Sequence, residues 1–291
     1  MKINCIIIII VILIYKCIIY CDTLILINTF GDFKNAVSIT TARQEYIFVS
    51  DITTNQIYKY NSAGDLITSF GGTGFGNSEL SQPYSVYASN GLDVLIADYN
   101  NNQIKRLDIN LNFIQLIDFN YYNLQLNTSD KIYHPAGVCI LSTGELFTII
   151  DSDIYKIAKI NNYNDVSLLF GTNNLGEDRV VKPVKIIPGN KIDIWILDVE
   201  RNEILNFNNM GIFIKKIKLL VNNENIININ IFYDDLYILT GKSIIVYNLN
   251  RNIYEKTYIH YVNKNIRDLA LLNQDMIVLL TKNHIYKLKI K

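Results

Sequence analysis

Short apolar alternations separated by polar turn residues run through almost the whole chain. Between residues 36 and 70 the runs AVSIT, EYIFVS, QIYKYN and DLITSF are rich in Val, Ile, Tyr and Phe, and each is bounded by Asn, Gly, Asp or Ser. Such runs predict four short strands joined by tight turns, and Ser62-Ala63-Gly64-Asp65 turns the third into the fourth. No stretch is long and periodic enough to predict a helix, so the pattern predicts an all-β chain.

The unit repeats. FVSDITTNQIYKY, LIADYNNNQIKRL, TIIDSDIYKI and WILDVERNEILNF each place an Asp at the end of an apolar strand, then a turn, then a second alternation. The Asn of the turn is present in the first, second and fourth. The markers Asp51, Asp98, Asp151 and Asp198 recur at intervals of about 50 residues, the size of a propeller blade. Two further units carry Thr240 and Thr281 in place of the aspartate, in LYILTGKSIIVYNL and MIVLLTKNHIYKLKI. The last unit supplies three strands before the chain ends. Its missing fourth strand is predicted at the other terminus, where LILINTFG (24–31) matches the Phe-Gly ends DLITSFG and VSLLFG. A ring of blades must close or leave strand edges open. The chain therefore reads as a six-bladed β-propeller of four-stranded blades, closed by an N-terminal strand that completes the last blade.

Residues 1–21 read differently. Lys2 is followed by the apolar run Ile3 to Tyr15, the basic start and apolar core of a secretory signal peptide. A spanning helix needs about 20 apolar residues, and Lys16 interrupts the run. The reading is an export segment over 1–21 and a propeller over 22–291, secreted or periplasmic and monomeric. A lipid on Cys21 would be the one link to a membrane. Cys5, Cys17 and Cys21 fall in the export segment, leaving Cys139 in GVCIL as a small buried hydrophobe rather than a nucleophile. Lys plus Arg and Asp plus Glu stand at 27 each, and loss of Lys2 and Lys16 leaves the chain slightly acidic. A nucleic-acid partner would call for a basic excess or stripe, and there is none.

The repeated residues resemble the NHL repeat family of six-bladed propellers, whose pattern runs Pro-x-Gly-[Val/Ile], a Gly turn, an apolar strand ending in Asp, then Asn-x-Arg-Ile, an aromatic and a second Gly turn. The third unit carries Pro135, Gly137, Val138, Gly144 and Asp151, and the second carries Pro83, Val86, Asp98, Asn102 and Ile104. The first keeps Asp51, Asn55, Ile57, Tyr60 and Gly64, and the fourth Pro183, Asp198, Asn202, Ile204, Phe207 and Gly211. The usual arginine is replaced by Gln56, Gln103 and Glu203. The resemblance implies the propeller fold and, for enzymes on this fold, either histidine-built metal sites as in amidating lyases or channel-facing carboxylates and asparagines as in the gluconolactonase-like family.

Three long connections, GGTGFGNSELSQP, FNYYNLQLNTSDKIYH and GTNNLGEDRVVKP, are expected on the same face as the Asp-to-Asn loops, and long loops on a rigid scaffold are where binding sits. That face holds the candidate binding residues Asp51, Asn55, Asp98, Asn102, Asp151, Asp153, Asp198, Asn202, Tyr121, Tyr122 and His134. The aspartates read first as acceptors for backbone N–H groups of the turns after them rather than as metal ligands, and Asp153 as part of a solvated turn. Gly71, Gly72, Gly74 and Gly76 lack the lysine and helix of a phosphate loop. His134, His260 and His284 lie in different units without metal-ligand spacing. Asn127-Thr128-Ser129 is a glycosylation sequon. No catalytic residue, metal or cofactor follows from these patterns. The reading is an exported, non-catalytic binding module for a protein or glycan partner; the alternative is a metal-dependent lactonase-like or lyase-like hydrolase, which requires Glu, Asn and Asp side chains converging in the channel.

Overall fold

The computed structural model describes residues 23–125, 131–161, 165–172, 176–219, 224–262 and 265–291. The export segment, Cys21 and the sequon lie outside them. The strands form six four-stranded antiparallel sheets, one per blade. Blade 1 is β2 (Ala36–Ala42), β3 (Tyr46–Asp51), β4 (Gln56–Asn61) and β5 (Leu66–Gly71); blade 2 is β6 (Pro83–Tyr87), β7 (Asp93–Asp98), β8 (Gln103–Asp108) and β9 (Phe113–Asp118). Blade 3 is β10 (Pro135–Ile140), β11 (Leu146–Ile150), β12 (Lys156–Ile160) and β13 (Val166–Phe170); blade 4 is β14 (Pro183–Pro188), β15 (Asp193–Asp198), β16 (Glu203–Asn208) and β17 (Phe213–Lys218). Blade 5 is β18 (Ile226–Phe232), β19 (Asp235–Thr240), β20 (Ser243–Asn248) and β21 (Ile253–Ile259). Blade 6 joins β22 (Ile266–Asn273), β23 (Met276–Thr281) and β24 (Ile285–Ile290) to β1 (Leu24–Phe30) from the opposite terminus.

Burial explains the composition of each strand. Second strands pack against neighbouring blades on both faces, so β7 and β15 are buried throughout. Outer strands meet water, so β1 and β5 are largely exposed. The closing strand pairs antiparallel with β24 from Leu24↔Ile290 to Phe30↔Ile285, and the Lys291 N–H donates to the Thr23 carbonyl at 3.1 Å. Phe30 then packs on Tyr60 of blade 1 at 5.5 Å between ring centroids. Gly64 makes this possible: its φ is +104°, and a Cβ there would lie 2.8 Å from the Phe30 ring. Gly211 does the same for Phe170 between blades 3 and 4.

Among the described residues one helix departs from the all-β expectation. Helix α1 (Phe119–Gln125) lies in the connection from blade 2 to blade 3, so Tyr121 and Tyr122 sit on a helix rather than in an open loop. Asp118 caps it by accepting the Asn120 N–H at 2.9 Å. Asn123 pins it by bonding both the N–H and the carbonyl of Ile132, at 2.8 and 2.6 Å. Two turns are too short to leave a 3.6-residue signature in the sequence.

Each innermost strand carries a register shift at one equivalent place, between Ala36 and Ser38, Pro83 and Ser85, Pro135 and Gly137, Pro183 and Lys185, Ile226 and Asn228, and Ile266 and Asp268. A bulge re-aims the side chain it inserts. Here the inserted residues, Tyr84 and Val184 among them, stand at the loop end of the central channel.

Candidate binding face and the central channel

The recurrent aspartates hold backbone at the loop end of each blade. Asp51 is fully buried and accepts four N–H groups: Thr53 and Thr54 of its own turn at 2.8 and 3.1 Å, and Lys34 and Asn35 of the loop leading into the blade at 2.7 and 3.0 Å. Asp198 accepts Val181 at 2.6 Å and Lys182 and Arg201 at 3.2 Å. Asp98 accepts the Ser81 N–H at 2.7 Å and the side-chain amide of Asn101 at 2.8 Å. It also pairs with the fully buried Lys105 at 3.1 Å. Burial pushes the Asp98 carboxyl up, and the Ser81 N–H, Lys105 and Asn101 pull it back.

The expectation that the aspartates serve the turn after them holds for Asp51 and Asp198. The aspartates reach the incoming loop as well as the turn that follows. Asp98 takes the Asn101 side-chain amide from its turn rather than a backbone N–H. Asp151 has a different partner, accepting the Tyr99 hydroxyl of blade 2 at 2.9 Å.

The asparagines stitch blade to blade. Asn55, Asn102 and Asn202 all sit at positive φ, between +51° and +55°, a conformation asparagine tolerates better than most residues. Each turns its side-chain carbonyl toward the next blade, accepting the Gln82, His134 and Ile226 N–H groups at 2.7, 2.9 and 2.8 Å. The side-chain amide of Asn55 donates to Thr73, and that of Asn102 to Asn120. These bonds bring the Asp-to-Asn loops onto one face with the long connections. Thr240 closes its turn through Ser243.

Lys105 gathers the glycine-rich connection. Its ammonium donates to the Gly76 and Glu79 carbonyls while pairing with Asp98, and Asn101 donates to the Gly74 carbonyl at 2.8 Å. The glycines therefore form a blade-to-blade loop wrapped on a buried cation.

Above this frame lies an aromatic stack. Tyr84 stacks on Tyr99 at 4.4 Å and Tyr99 on His134 at 4.6 Å, with interplanar angles of 23° and 19°. The His134 Nδ1–H donates to the Tyr99 carbonyl at 3.2 Å, which sets its tautomer. Burial, then the hydrogen bond to Asp151, raises the Tyr99 phenol. Around the stack the face presents large apolar side chains to solvent: Phe75 is 79% exposed and Leu124 83%, with Tyr121 and Ile154 also exposed. Asp153 is exposed beside Ile154, and Tyr122 is half-buried against the core. His260 lies elsewhere, between blades 5 and 6; its Nε2–H donates to the Thr240 carbonyl at 3.1 Å, and burial lowers its basicity. His284 donates from Nδ1 to the Gly31 carbonyl at 2.7 Å, at the ring closure.

The channel is filled by the protein's own charges. Lys185 of blade 4 pairs with Asp268 of blade 6 at 2.7 Å, and Asp268 also accepts the Ile39 and Leu269 N–H groups at 2.9 and 2.8 Å. Burial pushes the Asp268 carboxyl up, opposed by Lys185. The free space left beside Lys185, among Thr40, Ser85, Tyr87 and Asn230, is about 40 Å3, room for roughly three waters and far below the ~300 Å3 of a small-molecule site. Among the described residues no group of three or more His, Cys, Asp or Glu is placed to hold a metal ion, and no helix is long and apolar enough to cross a membrane.

No protein-family model and no curated protein matches the sequence. Solved structures do match in fold. A streptogramin B lyase covers 92% of this chain and 98% of its own, with a TM-score of 0.65 and 14% identity. Virginiamycin B lyase from Staphylococcus aureus matches over 92% of this chain and 100% of its own, with a TM-score of 0.61 and 15% identity. A catalytically inactive histidine-to-alanine variant of that lyase with quinupristin matches at 0.59 and 16%. At these identities the likeness is one of fold. The chain is a six-bladed β-propeller.

Proposed function

We propose that the propeller is an exported, non-catalytic recognition module whose Asp-to-Asn face binds a protein or glycan partner. The observation that carries this reading is the contrast between the two places a propeller can offer a ligand. The channel is blocked by Lys185 and Asp268, while the face above it offers the Tyr84–Tyr99–His134 stack amid exposed Phe75, Tyr121 and Leu124. Exposed aromatics on a rigid frame supply contact area with little entropy to lose on binding. The NHL-like repeat and the export-type first 21 residues support the same reading.

The fold neighbours favour a second reading, a lyase of the kind that acts on streptogramin B antibiotics. One experiment separates the two. The protein and its Tyr84→Ala/Tyr121→Ala variant are screened on a glycan array and against cell-surface proteins, and both are incubated with virginiamycin B. Binding by the parent, weakened at least tenfold in the variant, with virginiamycin B left intact, is the expected result. Consumption of virginiamycin B, or binding unchanged in the variant, would overturn the recognition reading.

A further inference from the structure

A second cavity, of about 210 Å3, opens between blades 4 and 5 among the hairpin turns at the end of the ring opposite the Asp-to-Asn loops. Its floor is apolar: Trp195, the chain's single tryptophan, with Ile214 and Leu249 beside it. Trp195 is 2% exposed.

The walls are polar and carry both signs, Asp193 and Asp234 with Lys191 and Lys215. The acceptors are occupied. Asp193 accepts the Asn206 side-chain amide at 2.8 Å and the Lys191 backbone N–H at 3.1 Å, and Asp234 accepts the Asn190 amide at 3.1 Å. The donors are not. The indole N–H of Trp195 has no acceptor among the described residues, although a buried indole N–H ordinarily has one. The Lys191 ammonium has none either. Lys215 donates to Asn252 at 2.5 Å and lies 5.4 Å above the Trp195 ring. Burial, then the neighbouring charge of Lys191, holds the Lys215 ammonium below the usual lysine range, opposed in part by Asp193, and a bound anion would favour its charged form further.

Gly189 keeps the indole edge open. Its φ is not positive, so the reason for glycine here is space: a Cβ would lie 2.2 Å from Asp193 Oδ1 and 2.8 Å from Trp195 Nε1. The two unpaired donors, the Lys215 ammonium and the apolar floor together suit an acceptor-rich anion with a ring-shaped body, and the Asn250 side chain suits its hydroxyls.

We propose that this cavity binds a single uronic acid unit, its carboxylate between Lys191 and Lys215 and a ring oxygen at the Trp195 indole N–H. The site lies apart from the loop face and does not depend on what that face binds.

The single tryptophan makes the test direct. Sodium glucuronate is titrated into the intact protein while Trp195 emission is followed, with calorimetry in parallel and with glucose and sodium acetate as comparisons. Saturable change with glucuronate at millimolar concentration, absent with glucose and with acetate, is the expected result. Lys191→Gln, at an exposed position that leaves the fold intact, and Lys215→Met should each weaken it on the order of tenfold. No saturable response to glucuronate, a response equalled by glucose or by acetate, or full affinity in Lys191→Gln would overturn the proposal.

Discussion

Asp51 and Asp98 occupy equivalent positions and do different work. Asp51 satisfies four backbone donors, so its removal strands N–H groups that are costly to leave unpaired, at about 1–3 kcal/mol for a buried group. Asp98 accepts fewer N–H groups and instead neutralises Lys105, which has no access to water. Removing one partner of a buried ion pair costs about 3–5 kcal/mol, because the other charge is left behind. Lys105→Met should therefore destabilise the protein by that amount in urea unfolding, and Asp98→Ala comparably. Replacing both at once should cost clearly less than the sum. Strict additivity would show that the pair is not coupled and that the aspartate serves the turn alone.

Among elements, the closing strand bears the most. β1 completes blade 6 and lays Phe30 against blade 1, so it joins the two ends of the ring in one stroke. Without it β24 becomes an open edge and two blades lose their packing across the seam. Deleting residues 22–31 is expected to abolish the cooperative thermal transition; a truncated protein that still melts sharply near the parent temperature would contradict the closure. This element was legible in the sequence because the Phe-Gly end of LILINTFG repeats that of other fourth strands, and the blades were legible because Asp51, Asp98, Asp151 and Asp198 mark one strand end. Helix α1 was not, since seven residues carry no usable period. Nor were the partners of the candidate residues. Lys185 and Asp268 stand 83 residues apart and meet only because the ring brings blades 4 and 6 to one axis. Of the stack, His134 could be singled out by its place before Pro135. Tyr84 and Tyr99 gave no sign beyond their positions after Pro83 and Asp98, and Trp195 looked like any core aromatic.

For the whole molecule, the recurrent carboxylates divide two accounts of the same fold. In one, Asp51, Asp98, Asp151 and Asp198 are consumed in building the ring, and the channel is blocked by Lys185 and Asp268, so the protein works through what its loop face displays. In the other, a subset of carboxylates holds a metal that takes part in chemistry. An ion that binds the folded state alone raises stability by mass action, by about 2.7 kcal/mol at a hundredfold excess over its dissociation constant. The deciding measurement is the melting temperature of the intact protein with millimolar calcium, magnesium or zinc and with a chelator, beside Asp98→Ala and Asp151→Ala. A parent melting temperature unmoved by every addition is the result predicted here; a rise of several degrees with one ion, lost in either variant, would contradict it.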